Sequence, residues 1–80
     1  MRAPPAGPFR IQLGAFGVAE NAARLRQRLA DEPALAGYQI IAEPVGRLTF
    51  VTALGFSNLA AAQASCAELR AKGFECLARR

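Results

Sequence analysis

The side chains able to do chemistry in this chain are few, and their types point to recognition and away from catalysis. The 80 residues include no histidine and no tryptophan, which removes the commonest general base and the commonest zinc ligand. Two cysteines, Cys66 and Cys76, form no C-x-x-C and are too few for a metal site; neither metal nor cofactor is expected. They read either as small buried hydrophobes or as disulfide partners facing one core, a bond that an exported location would permit. What remains is a polar and apolar set at strand spacing: Arg10 and Gln12 on one segment, Leu48 and Phe50 on another, with Arg47 just before the latter. The Gln12 amide both donates and accepts. The Phe50 ring offers a flat apolar surface, and the guanidinium groups of Arg10 and Arg47 suit carboxylates. Such a set fits a ligand that carries hydroxyls, amides and C–H ring faces. Each residue also has an ordinary reading. Gln12 can be a solvated sheet residue, and Arg47 a turn charge. Phe50 and Leu48 can pack with Ile41 and Leu77 as an apolar patch that meets another protein.

The elements that must position these residues follow from periodicity. Phe9 to Ala15 alternates, with Ile11, Leu13 and Ala15 on one face and Arg10 and Gln12 on the other, which predicts a strand. Val18, Ala22, Leu25 and Leu29 recur at helical spacing, and Pro33 predicts a helix end near Ala30. Tyr38 to Glu43 is a second strand closed by Pro44. Val45-Gly46-Arg47 is a turn, and Leu48 to Ala53 a third strand, antiparallel to the second. Ser57 is the expected N-cap of a second helix striped by Leu59, Ala62, Cys66 and Leu69. Gly73 is its expected left-handed C-terminal cap, and Phe74 to Ala78 the fourth strand.

The two βαβ halves resemble each other. Ile11, Leu13, Phe16, Ala22 and Leu29 recur, at one fixed interval, as Val51, Ala53, Phe56, Ala62 and Leu69. Beyond the helices the interval shortens, and the extra residues fall in the Asp31–Ala36 loop, where insertions cost little. Two such units predict an α+β fold of the ferredoxin-like βαββαβ type: a four-stranded antiparallel sheet, first and third strands central, both helices on one face. Ile11, Leu13, Ile40, Val51, Ala53, Phe74 and Cys76 would face the helices. Arg10, Gln12, Gln39, Ile41, Leu48, Phe50, Thr52, Glu75 and Leu77 would face away, and two helices cannot cover both faces.

Composition sets the outer bounds. The hydrophobic fraction of 52% excludes disorder for most of the chain, and the length allows one domain with a thin core. A net charge of +4 favours anionic partners, but no block of five or six like charges exists, so most arginines read as solvated faces. No apolar run approaches the ~18 residues of a membrane span, and no signal sequence is visible; a targeting element for an exported parent is expected outside these residues. Residues 1–8, Met-Arg-Ala-Pro-Pro-Ala-Gly-Pro, read as a flexible linker, with the domain occupying 9–80.

At this point the residues carry a likeness. Phe9-Arg10-Ile11-Gln12-Leu13-Gly14-Ala15-Phe16 resembles the opening strand of SPOR domains, a hydrophobic-x-V-Q-x-G-[SA]-F pattern. Asn21-Ala22 and Leu29 match that family's first helix. Ala60-Ala61-Ala62 through Leu69, followed by Lys72-Gly73-Phe74, match its second helix and fourth strand. The likeness spans residues 9–79 and includes the internal repeat. It implies non-catalytic binding of peptidoglycan, in particular of glycan strands stripped of their peptides. It also implies a periplasmic or cell-envelope location, often at the division septum, as a C-terminal module of a membrane-anchored or exported protein. In the family the open sheet face carries the ligand; Gln12 and Ala15 are the residues that carry over. The chain departs from the pattern on its third strand. Many members place an aromatic residue before that strand, an arginine on it and Gly-Pro-Phe after it; here Leu48, Phe50 and Leu54-Gly55-Phe56 stand there. The expected ligand-binding set is therefore Gln12, Ala15, Phe50, Leu48, Arg10 and Arg47. A monomer is expected, with no nucleic acid and no membrane contact by the domain itself, and with cell-division or other cell-wall proteins as further partners.

Rival readings share the topology. An RNA-binding RRM stacks bases on aromatics of its two central strands, and Phe50 and the positive charge fit that. The first strand, however, offers Arg10 and Gln12 in place of an aromatic, and the RRM glycine-aromatic signature is absent. An acylphosphatase-like enzyme needs an anion-cradling loop, which Ala15-Phe16-Gly17-Val18 does not supply. A protein-interaction module with a degenerate glycan site is the third alternative, favoured by the apolar Leu48–Phe50 face.

Overall fold

The computed structural model describes residues 7–80. Its elements run β1 (Gly7–Phe16), α1 (Ala19–Ala30), a 3-10 turn (Pro33–Leu35), β2 (Gln39–Val45), β3 (Leu48–Gly55), α2 (Leu59–Ala71) and β4 (Leu77–Arg79). The sheet is antiparallel with order β2-β3-β1-β4. The expected ferredoxin-like arrangement is thus present, with β1 and β3 central. One face of the sheet is sealed by α1 and α2. There Ile11, Leu13, Val51 and Ala53 meet Ala22 and Leu29 of α1 and Ala62, Cys66 and Leu69 of α2. Phe56 is wholly buried and stacks on Tyr38 with ring centroids 4.0 Å apart. Burying a ring of that size stabilises the fold by about 2–3 kcal/mol.

β1 begins two residues earlier than expected, so Gly7 and Pro8 of the predicted linker belong to the sheet; residues 1–6 of that stretch lie outside the described residues. Phe9 and Phe56 exchange backbone hydrogen bonds of 3.0 Å in both directions. A β-carbon at Gly7 would run into the Phe56 carbonyl, so this approach needs glycine.

Local chemistry corrects several boundaries. Val18, expected in the buried stripe of α1, is its N-cap and 56% exposed. The N-cap of α2 is Asn58 and not Ser57: Asn58 has extended backbone, and its Oδ1 accepts from the Ala61 amide at 2.8 Å. Leu59 of that helix's expected stripe is largely exposed. Pro44 does not end β2, because β2 is an edge strand and a proline there interrupts no inner ladder. The Asp31–Ala36 loop holds the 3-10 turn, and Leu35 inserts into the core at 3% exposure.

β4 is shorter than predicted and starts later, at Leu77 in place of Phe74. The preceding residues are committed elsewhere. Gly73, at φ 92, makes a Schellman cap in which the Phe74 amide donates to Leu69 and the Gly73 amide to Arg70, both at 3.0 Å. The Cys76 carbonyl accepts from Nη2 and Nε of Arg70 at 2.7 and 3.2 Å. Cys66 and Cys76 are disulfide-bonded with Cα atoms 5.2 Å apart, within the ordinary range. Of the two readings of the cysteines, the disulfide is the one that holds.

Candidate functional site

Residues directly opposite each other in an antiparallel ladder share a face, so the register assigns the rows of the uncovered side. Counted from one end they are Gln39–Leu54–Arg10–Arg79, then Ile41–Thr52–Gln12–Leu77, then Glu43–Phe50–Ala15, then Val45–Leu48. Rows lie ~6.7 Å apart, so the face is roughly 20 Å long. Among the described residues no further helix crosses it.

A β-bulge sets the third row. Gln12 pairs with Thr52 but Gly14, not Leu13, pairs with Val51. The extra residue reverses the alternation from that point on. Ala15, expected on the core face with Ile11 and Leu13, is therefore exposed and lies opposite Phe50. Gly14 turns inward instead, where a β-carbon would stand 2.7 Å from the Phe16 ring and 3.1 Å from Leu25. The bulge thus places Ala15 beside Gln12 on the uncovered side, and the small side chain leaves the Phe50 ring open on one flank.

Arg10, Gln12, Glu43, Val45, Phe50, Thr52 and Arg79 line a cleft of about 130 Å³ on this face. Thr52 forms its floor at 5% exposure. Arg10, Gln12 and Phe50 are half-buried walls. Leu48 lies one row beyond, 41% exposed, opposite Val45 at 42%. The structure thus brings Arg10, Gln12, Ala15, Phe50 and Leu48 onto one surface. Arg47 stands at the hairpin end of that surface, outside the residues that line the cleft. That residue is the second of the two turn residues between Val45 and Leu48; Gly46 at φ 61 precedes it, the arrangement of a type II′ hairpin.

Arg79 is the residue that sequence reasoning missed. Its Nη1 reaches Gln12 Oε1 at 3.4 Å, and its Cα is the cross-strand partner of Arg10. The signal was there: Leu77 was placed on the open face, and Arg79 follows it by one strand period. The Nε of Arg10 is buried without a hydrogen-bond partner, in a class of atom that is seldom left so.

A larger cavity of about 580 Å³ lies elsewhere, between α1 and β2, walled by Ala23, Ala30, Leu35, Tyr38 and Ile40. Its arginine is committed, since Arg26 Nε donates to the Ile40 carbonyl at 3.1 Å. Among the described residues no cluster of acidic residues and cysteines is grouped to hold a metal ion, and no helix is long and apolar enough to cross a membrane.

Comparison with known proteins agrees with the architecture. No curated protein matches the sequence. Among solved structures, the solution structure of the peptidoglycan binding domain of the B. subtilis cell wall lytic enzyme CwlC superimposes with a TM-score of 0.71 at 26% identity, over 99% of this chain and 95% of that one. The sequence profile of the SPOR domain matches residues 5–80, nearly the whole length and both βαβ units. With the bulged first strand, the uncovered sheet face and that match in hand, the chain belongs to the SPOR domain family.

Proposed function

We propose that this domain binds peptidoglycan, and specifically glycan strands freed of their stem peptides, through the uncovered face of its sheet, and that it catalyses nothing. The observation that carries this reading is the pairing across the central strands. Gln12 is the cross-strand partner of Thr52, and Phe50 is that of Ala15 in the next row of the same face. Sugar hydroxyls and acetamides need groups that both donate and accept, and the C–H faces of the rings need a flat apolar partner. The similar domain of CwlC is described as peptidoglycan binding, which supports the same ligand here. The disulfide fits an oxidising compartment, so the domain acts in the periplasm or cell envelope. As a monomeric C-terminal module it would hold its parent to the wall or the division septum, beside other envelope proteins.

Co-sedimentation with amidase-stripped sacculi tests this, with immobilised RNA as the control matrix. Wild type is expected to bind the sacculi and not RNA. Phe50→Ala should weaken binding by about tenfold, the loss of roughly 1–2 kcal/mol of ring burial, and Gln12→Ala by a similar factor. Equal binding of wild type and both variants would sink the proposal. The RNA reading is the weaker one, because Ala15 stands on β1 where a second stacking ring would be needed. A protein-docking reading is favoured by the exposure of Val45, Leu48 and Leu77; retention on neither matrix would support it.

A further inference from the structure

The cleft contains more positive charge than its own residues can neutralise. Arg10 and Arg79 are direct cross-strand partners on the same face, and like charges so placed repel. Glu43 is the one carboxylate lining the cleft. It stands on β2, with β3 between it and β1, in the row of Phe50. Among the described residues no ion pair joins it to either arginine; the one ion pair present is Glu32–Lys72. The buried Nε of Arg10 has no acceptor, and Arg79 holds Gln12 only by a long 3.4 Å contact. The neighbouring Arg80 is occupied otherwise, its guanidinium 5.7 Å from the centre of the Phe9 ring. Two arginines paired across one face, with no carboxylate bonded to either among the described residues, are what an anionic third group would join.

From this we infer that the Arg10–Arg79 pair is an anion subsite that takes a carboxylate of the glycan, namely the lactyl carboxylate exposed on muramic acid once its peptide is removed. The inference rests on the glycan-binding reading above and deepens it. Two guanidinium groups lining one cleft from adjacent strands offer the donors that the two oxygens of a carboxylate accept. An amidated or peptide-bearing lactyl group would present one neutral oxygen and an N–H donor to an arginine pair that has only donors to offer. The pair therefore distinguishes stripped strands from unstripped ones, while Gln12 and Phe50 contact the sugars. It keeps Arg10 of the two arginines expected to meet carboxylates and gives Arg79 of β4 the place expected for Arg47.

The test uses amidase-stripped sacculi in two forms, untreated and with carboxylates converted to methylamides by carbodiimide coupling. Wild type is expected to bind the methylamide form at least about tenfold more weakly, the usual worth of a charge-assisted contact. Arg79→Gln should bind the untreated form about tenfold more weakly and no longer tell the two apart, and Arg79→Lys should keep part of the preference. Equal binding of wild type to both forms, with Phe50→Ala still impaired, would overturn the carboxylate subsite and leave the sheet-face reading standing. So would loss of discrimination in Arg47→Gln instead of Arg79→Gln, or retention that depends on phosphate-bearing wall polymers and not on carboxylates. Failure of wild type to bind either form would remove both proposals together.

Discussion

At one edge of the sheet, β2 pairs with β3 along all seven of its residues. The connection is a two-residue turn, so pairing costs little loop-closure entropy. At the other edge β4 is three residues long and must reach β1 from the far end of the chain. Three ladder rungs do not offset a closure of that span by themselves, and the structure adds three constraints just before β4: the Schellman cap at Gly73, the Arg70 grip on the Cys76 carbonyl, and the Cys66–Cys76 bond. The division matters for recognition because each edge supplies a different part of the face. The hairpin carries Phe50, Leu48 and Val45, whereas the β1–β4 edge carries Arg10, Gln12 and Arg79. The apolar half is held by local sequence and the polar half by covalent and capping devices.

Removing the disulfide should break this contrast most. In the entropy description, closing so short a loop stabilises by about 2–3 kcal/mol, equivalent to a melting temperature about 10–20 °C lower for a domain of this size. In a Cys66→Ala, Cys76→Ala variant, amide exchange is expected to accelerate throughout the sheet with the lost global stability, and by a clearly larger factor at Leu77–Arg79 than at Ile41 and Val51. Uniform acceleration at both edges would show that the bond stabilises the whole domain and not β4 in particular.

Exchanging the two turn glycines sharpens the comparison at a smaller scale. Gly73 at φ 92 and Gly46 at φ 61 both face open space, so a methyl group meets no atom and only the backbone conformation is penalised. Alanine at either should cost about 1–2 kcal/mol. The losses are expected at opposite edges: Gly73→Ala should loosen β4 and weaken glycan binding through Arg79, and Gly46→Ala should loosen the hairpin around Glu43 and Phe50. Identical exchange patterns in the two variants would count against edges that open independently.

Much of this was readable in the sequence, and the failures share a cause. Alternation of Ile11 and Leu13 against Arg10 and Gln12 gave the face of β1, and Val51 and Ala53 gave that of β3. Ala15 was misassigned because alternation carries no information about an inserted residue; a bulge is a tertiary compromise that let α1 come close over Gly14. β4 was drawn too long because Phe74 to Ala78 looks extended in composition, although its first residues were claimed by the helix cap and by Arg70. Arg79 escapes the same reading, because an extended run over Phe74 to Ala78 stops one residue short of it. The Gly7 requirement was invisible because it arises from the Phe56 carbonyl, far along the chain.

The smallest expected effect concerns the ion pair that fastens the inserted turn to the end of α2. Lys72 Nζ stands 2.8 Å from Glu32 Oε2, which also accepts from the Ala34 amide. The hydrogen bond from Lys72, aided by that amide, holds the Glu32 carboxyl below its ordinary 4.5. The same bond raises the Lys72 ammonium above its ordinary 10.5. A lowered carboxyl binds its proton more weakly in the folded state than in the unfolded one. Its stabilisation is thus complete above the ordinary value and fades as pH falls through the lowered one. The raised lysine behaves oppositely, stabilising below its ordinary value and fading as pH climbs through the raised one. The melting temperature of wild type minus that of Glu32→Gln should therefore form a plateau between 4.5 and 10.5 and fall off on both sides. Its height should be small and shrink with added salt, because the Lys72 side chain is 40% exposed. A difference that persisted at strongly acid pH would mean that Glu32 acts by packing against the 3-10 turn and not by its charge.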